Sequence, residues 1–287
     1  METASELSVR LSKASVKQLW DVYSEIEWPE RLDLDRHWGM APELCSLYGT
    51  EAWDSLDERQ RKSLSLYEMG NLFSFTLQGE RPLVAGLTVQ MYSRQDSPCT
   101  EYLHHFLDEE NKHMVMFAEF CNRYLGKVYR YKKVTLPRKY AKGEEDVMFF
   151  IQALVVEELG DVYNVAMQRD ERLFPVVQQI NFLHHRDEAR HIVFGRRRCQ
   201  EFFEEHSPNW SRETLDGLRA WIPDYLRSAW TDFYNPVMYK DAGIEDPYAV
   251  REAALASPVC REHRERVSAK LVDYFLEARL LLERPRL

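Results

Sequence analysis

The chain has 287 residues, with 47 acidic and 38 basic side chains, a net charge of −9, and only 11 glycines and 12 prolines. Its length allows a substantial buried core, while its acidic balance argues against a nucleic-acid surface. No stretch reaches the roughly 20 apolar residues of a membrane span. The amino-terminal Met-Glu-Thr-Ala-Ser-Glu lacks the basic-then-apolar pattern of a secretory signal. Five scattered cysteines (Cys45, Cys99, Cys121, Cys199, Cys260) fit reduced thiols and a cytoplasmic location.

Few glycines and prolines, with abundant Leu, Glu, Arg and Ala, favour helices. Residues 10–27 read as a helix, 28–54 as an irregular stretch containing Trp and Pro, and 56–62 as a short helix. Four long periodic segments follow, at about 63–94, 99–127, 145–170 and 174–205. Ser97-Pro98 separates the first two, and 168–175 separates the last two. Between the second and third, the basic stretch from Tyr129 to Glu145 holds Pro137 and Gly143 and is long enough for the crossover of a ferritin-like bundle. Further helices are expected near 210–230, 246–255 and 258–283. The expected fold is all-α: a ferritin-like four-helix bundle with additional N- and C-terminal helices, one domain over 1–287 with its bundle core at about 63–205.

The last long segment contains His184-His185-Arg186-Asp187-Glu188-Ala189-Arg190-His191. His184, Glu188 and His191 stand at i, i+4 and i+7, one above another on a single helical face. Upstream, Glu110-Asn111-Lys112-His113 supplies a second Glu-x-x-His. Paired Glu-x-x-His motifs, each joined by one further Glu from a neighbouring helix, are how four-helix bundles hold two metal ions. One Glu-x-x-His alone is weak, since about one match is expected by chance in such a composition. Glu101-x-x-His104 is such a match, and it points away from the apolar stripe of Leu103, Phe106, Phe117 and Cys121 that carries Glu110 and His113.

The remaining acids follow from the same stripes. Glu80 sits among Met69, Phe73, Leu77, Val84 and Leu87, while Glu68 lies off that face. If the chain turns near Ser97, Glu80 and Glu110 differ in level by only about 6 Å, whereas Glu68 misses by more than about 20 Å. Pro82 predicts a kink or bulge just beyond Glu80. In the third segment, Glu158 is centred between Ile151, Leu154, Val155, Val162 and Val165, and is the expected ligand. Glu157, on the side of Asp146, Asn164 and Gln168, is the alternative. Four carboxylates buried without partners would be costly; two divalent cations cancel their charge. Carboxylate and imidazole donors suit iron or manganese better than a thiolate zinc site. The acids Glu109, Asp187 and Asp161 are placed to accept the outer N–H groups of ligand histidines.

The pattern Glu80, Glu110-x-x-His113, a Glu in the third long helix, then His184-x-x-x-Glu188-x-x-His191 resembles the para-aminobenzoate N-oxygenase family of ferritin-like di-iron oxygenases. The stretches Leu47-Tyr48-Gly49-Thr50, Gln78-Gly79-Glu80 and Phe174-Pro175 add to the likeness, which covers most of the chain. Three histidines, rather than the two of most ferritin-like di-iron sites, are its specific part, with His184 the third. The resemblance implies metal ligands Glu80, Glu110, His113, Glu158, His184, Glu188 and His191 around two Fe ions (Fe2+/Fe3+). It also implies O2 as co-substrate and oxidation of an amine nitrogen to hydroxylamine, nitroso or nitro product. C–H hydroxylation, desaturation or oxidative cleavage of an aliphatic substrate is the competing chemistry. A non-enzymatic, ferritin-like iron-binding protein is the reading from another class.

Residues flanking the ligands on the inner stripes are pocket candidates: Phe73, Thr76, Phe106, Phe117, Val162, Asn181 and Phe202. No Gly-x-Gly-x-x-Gly follows a strand pattern, so electrons are expected from a separate donor protein or a chemical reductant. The expected partners are that donor and a small-molecule amine, with no nucleic acid and no membrane; a homodimer is compatible with this reading.

Overall fold

The computed structural model describes residues 2–92, 98–130 and 139–287. Ser97 and Pro137, assigned to the first turn and the crossover, lie outside them. Helix α1 (Ala4–Lys17) opens on a capping box: Thr3 accepts from the Glu6 N–H, and the Glu6 carboxylate accepts from the Thr3 N–H. It begins and ends earlier than the expected 10–27. The chain leaves the helix so that Trp20 can turn inward and donate its indole N–H to Asp187. A short helix α2 (Glu51–Asp54) follows, capped by Thr50.

Helix α3 (Glu58–Gln90) absorbs the separate short helix expected at 56–62. Asp57 and Gln60 form its capping box, and Lys62 and Leu64 are already buried, so nothing breaks the periodicity. Pro82 lies within α3, which continues to Gln90. Its missing N–H leaves the carbonyl of Gln78 without that helical partner. Helices α4 (Thr100–Tyr124), α5 (Glu144–Met167) and α6 (Pro175–His206) complete the bundle. Gly143, at φ +75°, turns the crossover into α5.

The turn between α5 and α6 is pinned by the earlier loop. Trp38 N–H donates to the Arg172 carbonyl (2.9 Å), and Phe174 N–H to the Trp38 carbonyl (3.1 Å). The chain closes with α7 (Arg212–Phe233), α8 (Pro236–Asp241), α9 (Pro247–Ala256) and α10 (Pro258–Glu277). Helix α8 was not expected from the periodicity; six residues are too few to show one. Prolines start α8, α9 and α10, where a missing N–H costs nothing.

Helices α3 to α6 form the four-helix core of a ferritin-like bundle, with α1 laid across α4 and α6 and with α7 and α10 packed outside α5. Helix α5 is therefore covered on both sides, and most of its residues from Val147 to Met167 are buried. Among the described residues no regular strand occurs, and no helix is long and apolar enough to cross a membrane.

Candidate metal centre

Four bundle helices deliver seven side chains to one place. Glu80 comes from α3, Glu110 and His113 from α4, Glu157 from α5, and His184, Glu188 and His191 from α6. They fall into three overlapping groups: Glu110, His113, Glu188, His191; Glu80, His113, His184; and Glu157, His184, Glu188. Within each group, one ligand atom from every residue lies within 4.8 Å of the others. Glu110 and Glu188 both face two histidines: His113 Nδ1 is 3.4 Å from Glu110 Oε2 and 3.3 Å from Glu188 Oε1. His191 Nδ1 is 2.8 Å from Glu110 Oε1 and 3.4 Å from Glu188 Oε2. His184 Nε2 lies 2.9 Å from Glu188 Oε1. Donor atoms at right angles about 2.1 Å from a shared cation stand about 3 Å apart, the spacing seen here.

The donor set fits a cation pair by a second test. Both carboxylate oxygens of Glu80, Glu110, Glu157 and Glu188 are buried without a hydrogen-bond partner. So is one nitrogen of each histidine: His113 Nδ1, His184 Nε2 and His191 Nδ1. Unpaired buried carboxylates cost several kcal/mol each, so this interior is built for positive charge.

The electrostatics of the protein groups alone express the same conflict. Burial, then the neighbouring carboxylates, hold Glu80 and Glu188 well above the ordinary carboxylate range. Glu157 is pushed up to about 7 by burial and by Glu110. Burial opposes ionisation of Glu110 too, but His191 and His113 outweigh it and bring it down to about 2. Burial and the nearby His113 hold His184 well below the usual histidine range, as a neutral imidazole.

The other nitrogen of each histidine is held from outside. His191 Nε2–H donates to Glu109 Oε2 (2.8 Å), and His113 Nε2–H to Asp187 Oδ2 (3.3 Å). Each acid thus serves the histidine of the opposite motif and leaves Nδ1 free to face the centre. Arg190 joins the two acids, donating to Glu109 Oε1 (2.6 Å) and Asp187 Oδ1 (2.7 Å), and Trp20 donates to Asp187 Oδ2 (2.8 Å). His184 Nδ1 is paired with the side-chain amide of Asn164 at 2.7 Å. Arg190, Trp20 and Asn164 were missed in the sequence. Asn164 had a signal, lying two turns beyond Glu157 on the same side; Arg190 stands three residues after Asp187; Trp20 had none.

Two expectations are corrected. Glu158 does not face the centre: both its oxygens accept from Arg196, Oε1 from Nε at 2.7 Å. The apolar stripe that centred Glu158 does not mark one face: Ile151, Leu154 and Val155 on it are fully buried, while Val165 is 51% exposed. With α5 covered on both sides, an apolar surround did not single out the inner face. Asp161 pairs with His185 (2.6 Å), not with a ligand histidine.

The pocket residues divide. Phe106 stacks on His191 with centroids 3.9 Å apart, and Phe117 sets its ring against His184 at 4.9 Å and against Phe73 at 4.8 Å. Thr76 is buried one turn before Glu80, and Asn181, buried one turn before His184, has an unpartnered Oδ1. Val162 and Phe202 are not beside the ligands. Val162 is only half-buried, on the outward side of α5. Phe202 stacks on Phe150, about 16 Å along α6 from His191. Glu101 and His104 are exposed.

A family model described as p-aminobenzoate N-oxygenase AurF matches residues 2–279. The uncharacterized protein Rv0885 of Mycobacterium tuberculosis is 26% identical over 294 residues, an alignment covering 96% of this chain and 81% of that protein. Mb0909 of Mycobacterium bovis, also uncharacterized, matches to the same 26% over 294 residues, with the same 96% and 81% coverage. Among solved structures, a valine-to-isoleucine variant of R2-like ligand-binding oxidase with an aerobically reconstituted Mn/Fe cofactor superposes with a TM-score of 0.51. It is 16% identical, over 96% of this chain and 93% of that one, a likeness of fold.

Proposed function

The chain belongs to the p-aminobenzoate N-oxygenase AurF family, and from that membership we propose that it is a non-haem di-iron monooxygenase acting on nitrogen. Its substrate is a small-molecule amine, aromatic or heteroaromatic, oxidised to hydroxylamine, nitroso or nitro product in secondary metabolism. The observation that carries this reading is the buried convergence of four carboxylates and three imidazoles whose inward atoms have no hydrogen-bond partner. We assign Glu80, Glu110, His113, Glu157, His184, Glu188 and His191 as the ligands. Two irons held there would supply redox chemistry and open coordination positions for O2.

The protein's own part is positioning and charge balance. Four carboxylates would cancel the charge of two divalent cations, and Glu110 and Glu188 each face both His113 and His191. Glu109 and Asp187 hold the Nε2 protons of His191 and His113, which fixes each lone pair on the inward Nδ1. Asn164 Nδ2 lies 2.7 Å from His184 Nδ1; with Nε2 engaged by a cation the His184 proton would sit on Nδ1, and the amide would turn over to present its carbonyl oxygen to it. Phe106 and Phe117 cover two ligand imidazoles and keep water from them. A third neutral imidazole adds electron density without altering the charge balance, which favours oxygen transfer to a nitrogen lone pair over C–H cleavage. The electrons come from a separate donor. A mixed Mn/Fe pair is the second reading of the metals, since the R2-like relative carries one and the same donors suit both ions.

The test is a single turnover of the reduced, iron-loaded protein with 18O2 and a panel of amines, read by mass spectrometry. Label on the product nitrogen is expected. Label only on carbon, or only in water, refutes N-oxygenation.

A further inference from the structure

The two Glu-x-x-His motifs differ inside. The second carries Arg190 just before its histidine, whereas the first carries Lys112 at the same place. Lys112 leaves the centre and pairs with Asp108 Oδ2 (2.5 Å), its ammonium 5.7 Å from the Trp20 ring. Arg190 is thus the one cation of either motif that reaches the acids behind the ligand histidines. It is buried, as are Glu109, Asp187 and Trp20. Arg186 Nε stays 3.7 Å from Asp187 Oδ1, too far for a hydrogen bond.

Nη2 of Arg190 carries two protons, and each goes to a different acid: one to Glu109 Oε1 (2.6 Å), the other to Asp187 Oδ1 (2.7 Å). The second oxygen of each acid holds a ligand imidazole. Glu109 Oε2 accepts from His191 Nε2–H (2.8 Å), and Asp187 Oδ2 from His113 Nε2–H (3.3 Å). A carboxylate gripped at both oxygens does not turn about its last bond, so each imidazole keeps its plane and its tautomer. The guanidinium is itself held from behind. Its Nη1 donates to the Arg186 carbonyl (3.0 Å) and to the side-chain oxygen of Gln18 at the end of α1. Trp20 adds a donor to Asp187 alone.

We infer that Arg190 is a positioning residue shared by the histidines of both motifs: one nitrogen aligns His113 and His191 together, so neither is oriented independently of the other. With one motif to each ion of a pair, a change at Arg190 is felt at both ions. A change at Glu109 or Asp187 is felt first at its own histidine. The fork of the guanidinium matters as well as its charge. A lysine brings a single nitrogen, which cannot hold the Arg186 carbonyl and Gln18 while reaching both acids. The inference rests on the metal-ligand assignment and not on which atom of a substrate is oxidised.

The test uses the full chain labelled with 15N-histidine and loaded with Zn2+, which is diamagnetic and takes the same imidazole and carboxylate donors. In wild type, the Nε2 protons of His113 and His191 are expected as two NMR signals that exchange slowly with water. In Arg190→Lys both should exchange faster, and the affinity for each zinc ion should fall about ten- to a hundredfold, the usual effect of losing a ligand's outer partner. Loss at one ion, with the other proton unchanged, contradicts the shared role; wild-type values at both overturn it. Gln18→Met leaves every acid paired and loosens the guanidinium only from behind, so it reads the same coupling in a folded chain. Both protons should exchange faster together there, and one moving alone, or neither, overturns the proposal. An arginine with a purely structural role would lower the melting temperature of the metal-free chain and leave both readings at wild-type values. A wild type that binds fewer than two zinc ions refutes the ligand assignment, and the proposal with it.

Discussion

Glu157 and Glu158 differ by one position, and on a helix that is a rotation of about 100°. One carboxylate consequently reaches His184 and Glu188, while its neighbour pairs with Arg196 near the surface. Spacing alone made the two Glu-x-x-His motifs, His184 and Glu80 legible, because each sits on one clear apolar face. It failed on α5, where both faces are buried and apolarity carries no direction. The polar companion Asn164 was the better guide, since a buried amide needs a partner and found His184. Two substitutions separate the roles. Glu157→Gln should lower bound metal from two ions per chain to one or fewer by elemental analysis. Glu158→Gln should keep both and lose about 1–3 kcal/mol of stability as Arg196 loses its partner. Equal metal loss in both variants contradicts the assignment.

At the scale of elements, the long helices were legible because each carries ten or more residues of sustained periodicity. Boundaries were not, because tertiary partners set them. Trp20 ends α1 by reaching Asp187, and the strong caps at Thr3 and Asp57 lie ahead of the apolar periodicity. Glu68 is a similar tertiary device, tying α3 to the loop at Ser46. Its effect on stability has a definite sign. Burial raises Glu68 in the folded chain to about 8 from an ordinary 4.5, so the folded state holds its proton over an interval in which the unfolded state has lost it. Its contribution is therefore fully present below about pH 4.5 and is lost as pH rises to about 8. Thermal melts of wild type and Glu68→Gln at equal metal loading should converge toward acid pH and diverge toward pH 8, with the wild type falling further. Parallel curves across that range would show that Glu68 ionises freely.

The whole molecule balances two kinds of burial. Aromatic layers such as Phe73, Phe117 and Phe120 contribute about 2 kcal/mol per ring by leaving water, and around them the bundle encloses four carboxylates whose ionised forms need cations beside them. The all-helical class, the bundle and the surrounding terminal helices could be read from composition and period. The layer of α7 and α10 over α5 could not, because it depends on which face of an all-round buried helix each element covers. Anomalous diffraction at the iron edge, on crystals of the anaerobically iron-loaded chain, tests the central claim most directly. Two iron peaks are expected, enclosed by Glu80, Glu110, His113, Glu157, His184, Glu188 and His191. A single peak, no peak, or metal bound beside Glu158 instead of Glu157 would contradict it.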